Sequence, residues 1–128
     1  MSPDYIKEWV RKAEADRKAS LRAFHDSRRQ KDQAEIACFH AQQCAEKYMK
    51  ALLADKGISI PKIHDLLAIA RKLGHPYFLT PTAKNALRCL NQYAVEIRYP
   101  GITAGLRDAQ RAVRAMERIV NLSKTALS

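Results

Sequence analysis

CFHAQQCAEKYMKALL, residues 38–53, has the apolar repeat of a buried helix and yet carries His40, Gln43, Glu46, Lys47 and Lys50. On a helical wheel Ala37, Ala41, Cys44, Ala45, Tyr48 and Leu52 share one face, while His40, Gln43, Lys47 and Lys50 recur at i, i+3, i+7 and i+10 on another. Glu46 stands four residues before Lys50, the order that favours an ion pair on a helix. A charged stripe at this spacing ordinarily faces water. By its spacing alone the stripe reads as a solvated face, and the segments around it have to decide whether that reading holds.

Those segments are helical on both sides. Ser2-Pro3-Asp4 supplies an N-cap, a first-turn proline and an early carboxylate, and Ile6, Trp9, Val10, Ala13, Leu21 and Phe24 then recur at helical spacing to about His25. Asp32 followed by Glu35 has the pattern of a capping box, and the second and longest helix runs from there to Gly57 as its C-cap. Residues 58–61 cross over to a short helix from near Ile63 to Leu73, stopped by Gly74-His75-Pro76. Thr80-Pro81 opens the fourth, which turns Ala83, Leu87, Leu90, Ala94 and Ile97 inward and has to end at Pro100. The last helix begins near Gly105 and repeats Leu106, Ala109, Val113, Met116 and Val120. No strand-like alternation, internal repeat or low-complexity tail interrupts this order. The expected fold is all-α: an antiparallel four-helix bundle with one additional short helix.

A chain of 128 residues makes one domain, 1–128, and 47% hydrophobic content with four Gly and five Pro suits a helical core. No window holds the roughly 18 apolar residues of a membrane span, and the N-terminus lacks a signal-peptide pattern, so the expected setting is cytoplasmic. Cys38, Cys44 and Cys89 are odd in number and lie inside helical patterns. They read as small buried hydrophobes, and no zinc-type spacing or cofactor motif stands beside them. Twenty-three Lys and Arg against thirteen Asp and Glu give a net charge of +10, which favours polyanionic partners. The link Arg28-Arg29-Gln30-Lys31 is basic and exposed.

Three pieces in register carry a family resemblance: CFHAQQCAEKYMKALL, KIHDLL at 62–67 and YAVEIRYP at 93–100. Together they resemble the HEPN domain, a prokaryotic all-α bundle, over about Tyr5 to Leu122. The resemblance implies a homodimer whose facing helices enclose a groove, and a metal-independent ribonuclease motif in which four to six residues separate an Arg from a His. Arg98 falls on the Arg position. No His follows His75, and Arg71 and His75 are one residue too close, so the motif is incomplete. Cleavage through a ribose 2'-hydroxyl needs a proton acceptor active near neutral pH and a cation beside the phosphorane, and arginine supplies only the second. His64 is the better substitute base, with His40 the other candidate. Asp65, next to His64, also suits the first turn of its own helix.

The resemblance further implies groove or nucleotide-binding roles for His40, Gln43, Glu46, Lys47, Lys50, Asp65, Tyr93, Glu96 and Tyr99. Tyr93 and Tyr99 are candidates for base stacking, or for core positions with a hydroxyl at the rim. Glu46 is a candidate partner for Arg98. Trp9 belongs to the core or to a dimer interface. Independently of any family, Arg107, Arg111, Arg114 and Arg118 recur at i, i+4, i+7 and i+11 opposite the apolar stripe of the last helix, a row of about 17 Å at 1.5 Å per residue that suits phosphates. Asp108 and Glu117 lie close to it in sequence.

Three functions compete. The first is a nucleotide- or RNA-binding interaction module, homodimeric and the companion of a separate minimal nucleotidyltransferase in a toxin–antitoxin-like pair. The second is a ribonuclease using Arg98 with an atypical base. The third is a helical scaffold for protein partners. No cofactor, metal or membrane enters any of them.

Overall fold

The computed structural model describes residues 2–94, 100–101 and 103–127. The Ser2 hydroxyl accepts a hydrogen bond from the Tyr5 N–H at 3.3 Å, Pro3 occupies the first turn, and α1 runs Pro3–Asp26. α2 spans Asp32–Asp55. Its N-terminus departs from the capping box that the sequence suggests. The Arg29 and Gln30 N–H groups both bond the Asp26 carbonyl, and this tight link leaves Lys31 at the N-cap with helical angles and no side-chain cap. A capping side chain needs an extended backbone there, which the link does not allow.

At its other end α2 closes through Gly57, whose φ of +70° opens a left-handed turn: Gly57 N–H bonds the Ala54 carbonyl at 3.1 Å and Ile58 N–H the Leu53 carbonyl at 2.9 Å. α3 is shorter than expected, Leu66–Leu73, because Asp65 caps it, accepting from the Leu67 and Ala68 N–H groups at 3.0 and 3.3 Å. Gly74 ends it in the same left-handed conformation. A single 3₁₀ turn, Pro76–Phe78, leads to α4, Pro81–Asn91, capped by Thr80.

Among the described residues α4 stops well before Pro100, and tertiary contacts account for it. Asn91 turns its carboxamide into the start of α3, accepting from the Leu66 N–H at 2.8 Å and donating to Asp65 at 2.9 Å. Tyr93 N–H closes a tighter turn onto the Leu90 carbonyl, and its hydroxyl reaches Asp108 in the last helix at 3.3 Å. Ala83, Leu87 and Leu90 are buried as the pattern required, Ala94 only partly, and Ile97 lies outside the described residues. α5 runs Leu106–Leu127. Ala109, Val113, Met116 and Val120 face inward, whereas Leu106 is 46% exposed at the helix start.

α2 is the central helix. Fifteen of its residues are buried, against four in α1 and eight in α5. α1 and α2 form an antiparallel hairpin with the most extensive contact in the molecule, and α5 packs along the other side of α2. Small buried residues let α1 approach closely, with Ala13, Ser20 and Ala23 on α1 and Ala34, Ala37 and Ala41 on α2, and the Ser20 hydroxyl is satisfied by the Ala37 carbonyl at 2.8 Å. Tyr48, Met49, Leu52, Leu66, Ile69, Phe78, Leu87, Leu90, Met116 and Ile119 fill the interior. Among the described residues five helices and one 3₁₀ turn form a bundle with no strand, and no helix is long and apolar enough to cross a membrane.

Asn91→Ala leaves the Leu66 N–H without its partner and frees the cap of α3. The expected cost is about 1–3 kcal/mol, read as a lower urea midpoint at unchanged slope. Leu52→Ala, which opens a cavity in the centre, is expected to cost about 2–5 kcal/mol in the same measurement.

Candidate functional site

The polar stripe of α2 is not a solvated face. Its members turn into two clusters, one on each side of the helix. In the first, His40 Nδ1 donates to Asp16 Oδ1 of α1 at 2.8 Å and Lys47 Nζ donates to the other oxygen of the same carboxylate. Asp16 is 7% exposed. Burial alone would raise its carboxyl, but the hydrogen bonds from His40 and Lys47 and the charge of Lys47 outweigh that and hold it below the usual carboxylate range. Close by, the Tyr48 hydroxyl donates to Glu14, and burial together with that carboxylate holds the phenol well above the usual tyrosine range. Arg17 grips Glu117 of α5 through Nε and Nη2 at 2.8 and 3.0 Å, a two-pronged contact between the first and last helices.

The second cluster is built around Glu46, 4% exposed. Its Oε2 accepts from Lys50 Nζ at 3.0 Å, the pair that the i, i+4 spacing indicated, and Lys50 is itself 6% exposed. Its Oε1 accepts from Gln42 at 3.2 Å and from His64 Nδ1 at 2.9 Å. Gln42 also donates to the His64 backbone carbonyl at 3.2 Å, so both the main chain and the ring of His64 are tied to α2. A carboxylate only accepts, which fixes the proton of His64 on Nδ1 and leaves Nε2 facing outward. The His64 side chain is 55% exposed, and Nε2 has no hydrogen-bond partner among the described residues. Lys50 Nζ also lies 5.9 Å from the centre of the Trp9 ring. Trp9, half-buried at the rim of α1, packs edge-on against Tyr5, and its indole Nε1 is buried without a partner.

The structure thus brings Glu46, Lys50 and His64 together and sets His40 and Lys47 apart on Asp16, while Gln43 donates to the Gln42 carboxamide oxygen at 2.7 Å. Asp65 does not orient His64. It is the cap of α3, and the hydrogen bond from Asn91, with those from the α3 amides, holds its carboxyl below the usual range. Tyr93 is not a stacking surface either. It is 6% exposed, its ring is part of the core, and burial with the nearby Asp108 charge raises its hydroxyl far above the usual range, so it remains a hydrogen-bond donor. Arg98, Glu96 and Tyr99 lie outside the described residues, and with them the pairing of Arg98 with Glu46.

Asp16, Glu14, Arg17 and Gln42 are absent from the residues that the sequence singled out. One signal was present: Asp16 stands in the Ala13–Ser20–Ala23 register, a carboxylate on the buried stripe of α1.

On α5, Arg107, Arg111, Arg114 and Arg118 are all exposed, with no carboxylate partner among the described residues. The two acids nearest to them in sequence are turned elsewhere: Glu117 to Arg17, and Asp108 to the Gly105 N–H at 2.9 Å and the Tyr93 hydroxyl. Arg111, Arg114 and Arg118 line an open groove of about 400 Å³ between α4 and α5. Cys38 and Cys44 are buried free thiols, Cys38 pushed up by burial to about 12, and no group of three or more His, Cys, Asp or Glu placed to hold a metal occurs among the described residues.

The family model described as HEPN domain matches residues 6–126. The crystal structure of ST0689, an archaeal HEPN homologue, superposes with a TM-score of 0.72 at 27% identity, over 100% of both chains. TT1696 from Thermus thermophilus superposes with a TM-score of 0.80 over 95% of this chain and 98% of that one, and at 20% identity the likeness is one of fold. No curated protein matches the chain.

Because the Asp16 carboxyl is lowered in the folded state, the stability it contributes is complete above the ordinary value near 3.8 and is lost as pH falls through the lower folded value. Asp16→Asn is expected to reduce stability at neutral pH by about 1–3 kcal/mol and to make the acid limb of the stability–pH curve shallower, as measured by denaturant unfolding between pH 2 and 7.

Proposed function

This chain belongs to the HEPN domain family, and on that premise we propose that it is a nucleotide- and RNA-binding module. The observation that carries this reading is the buried Glu46 presenting a half-exposed His64. Lys50 balances the carboxylate, Gln42 fixes the backbone, and the free Nε2 is placed to accept from a ribose hydroxyl. The net charge of +10 supports attraction of such a ligand from solution. A homodimer, and a separate minimal nucleotidyltransferase as companion in a toxin–antitoxin-like pair, complete the proposal on the family resemblance. Sedimentation at twice the 14.5 kDa monomer mass, and co-purification with such a nucleotidyltransferase, test those two parts.

A second reading, RNA cleavage, is favoured by one specific observation: the His64 ring is oriented by a buried carboxylate through Nδ1, the arrangement that leaves the other nitrogen as a proton acceptor. In this reading Nε2 takes the proton of the 2'-hydroxyl and the oxygen attacks the adjacent phosphorus, with Arg98 stabilising the phosphorane. The bond to the 5'-oxygen breaks to leave a 2',3'-cyclic phosphate, the 5'-oxygen takes a proton from water, and the proton on Nε2 returns to solvent. No metal is needed. The protein is incubated with a mixed RNA pool in EDTA beside His64→Ala, Glu46→Gln and Arg98→Ala. Cleavage that falls by about 10²–10⁴-fold in His64→Ala, and by less in Glu46→Gln, establishes the ribonuclease. Intact RNA with retained binding leaves the module as a binder, and absence of binding at low salt removes both readings.

A further inference from the structure

We infer that the groove between α4 and α5 is a backbone track for single-stranded RNA, with Arg111, Arg114 and Arg118 as its phosphate contacts, on a surface separate from the His64–Glu46 cluster. The inference rests on the RNA-binding reading and adds where the strand lies and how it is read.

Arg111, Arg114 and Arg118 stand along one rim of the groove, Thr82 and Asn85 along the other, and Arg107 extends the row beyond it. The floor consists of small side chains, the buried Ala86 and Ala115 and the half-buried Cys89. No acidic residue lines the groove among the described residues. That is a consequence of the fold rather than of composition. Glu117, one residue before Arg118, is drawn across to Arg17 of α1, and Asp108, one residue after Arg107, is drawn back to Gly105 and Tyr93. Both of these neighbouring carboxylates have been given other partners, and the four guanidiniums are left without one among the described residues.

An unpaired row of this kind is costly to the isolated fold through like-charge repulsion, and a bound polyanion relieves it. The guanidiniums are spaced roughly 5 Å apart along the helix at 1.5 Å per residue, a regular repeat that a phosphate backbone presents and a scattered acidic protein surface does not. α4 and α5 are antiparallel, so the N-terminal turn of α4 at Thr82 adjoins the Arg118 end of the row and adds its amide dipoles there. The open volume of about 400 Å³ leaves room for a short piece of one strand. A duplex, wider than the space between two packed helices, reaches the rim arginines but not the floor. No aromatic ring lines the groove, which leaves bases to lie against guanidinium planes and makes the contact tolerant of sequence. Asn91, which clamps α3 beside His64, lies on the opposite side of α4 from Asn85 and Cys89, so the groove and the His64 cluster occupy different faces.

The test is fluorescence anisotropy of a labelled mixed-sequence single-stranded RNA titrated with the full-length protein from low to high salt. Arg111→Gln, Arg114→Gln and Arg118→Gln combined are compared with wild type, with the same three positions as Lys, and with Lys12→Gln, Lys18→Gln and Arg22→Gln on α1. The groove triple is expected to bind more weakly and to make the plot of log affinity against log salt shallower by about 2, three contacts at about 0.7 each. The Lys triple is expected to keep most of the slope, and the α1 triple to change it little. Unlabelled duplex of equal length is expected to compete poorly. An unchanged slope in the groove triple overturns the inference while leaving the RNA reading standing, and an equal loss in the α1 triple overturns it in favour of diffuse charge. Displacement by poly-glutamate as efficient as by RNA overturns it in favour of an acidic protein ligand. No binding by wild type at any salt removes the RNA reading itself.

Discussion

A helix enclosed by its neighbours cannot leave a charge unmatched, and α2 is enclosed along most of its length while carrying Gln42, Glu46 and Lys50 in its buried sector. Removing an ionised carboxylate from water is unfavourable unless other groups replace the lost hydration, and here three donors do so: Lys50, Gln42 and His64. The rest of the site follows from that requirement. The crossover after α2 has to bring His64 back to the helix it has just left, α3 has to start one residue later at the Asp65 cap, and α4 has to end where Asn91 can hold that cap in place. Asp16 imposes the same demand on the other side of α2, where His40 and Lys47 meet it and thereby set the register of α1.

What could be seen in the sequence was whatever depends on neighbours in the chain. Ser2 and Thr80 act within one turn of themselves, and Gly57 and Gly74 supply left-handed geometry at their own positions, so the helix order and most ends were legible, whereas Asp65 reads locally as a first-turn carboxylate and not as the cap that starts α3. Glu46 and Lys50 were legible as a pair because four residues on a helix is a contact distance. The end of α4 was not, since Pro100 sets only an outer limit and the chain turns earlier to serve α3 and α5. The link from Glu46 to His64 depends on how a crossover returns, and no local pattern encodes it. Asp16 carried a partial signal, its place in an otherwise small and apolar register, but its partners lie two turns apart on another helix. The polar stripe was real, and only its surroundings were hidden: without knowing what covers α2, a groove and a buried network share one pattern.

Two basic regions of the molecule, around α2 and along α5, differ in kind. Within α2 both lysines have an anion, and Lys47 and Lys50 serve to keep Asp16 and Glu46 in place. On α5 the cations face outward and their sequence neighbours of opposite sign have been recruited to hold helices together. Net charge is therefore a poor guide to where an anionic ligand goes in this protein. The disposition of the thirteen acids decides it, because they determine which of the twenty-three basic residues remain available.

The Arg17–Glu117 contact joins positions 100 residues apart. α1 and α2 are adjacent in the chain and meet by a short reversal, which is rapid to form, whereas α5 closes the bundle through contacts of long sequence separation, which come at a higher entropic cost. Glu46 and His64 are both present in a nascent chain long before α5 leaves the ribosome. The arginine trough has no existence until that last helix docks, since one of its two walls is α5 and the pairing that frees the wall of acid is the same contact that fastens it. Completion of the chain and exposure of the basic surface are in that sense a single event.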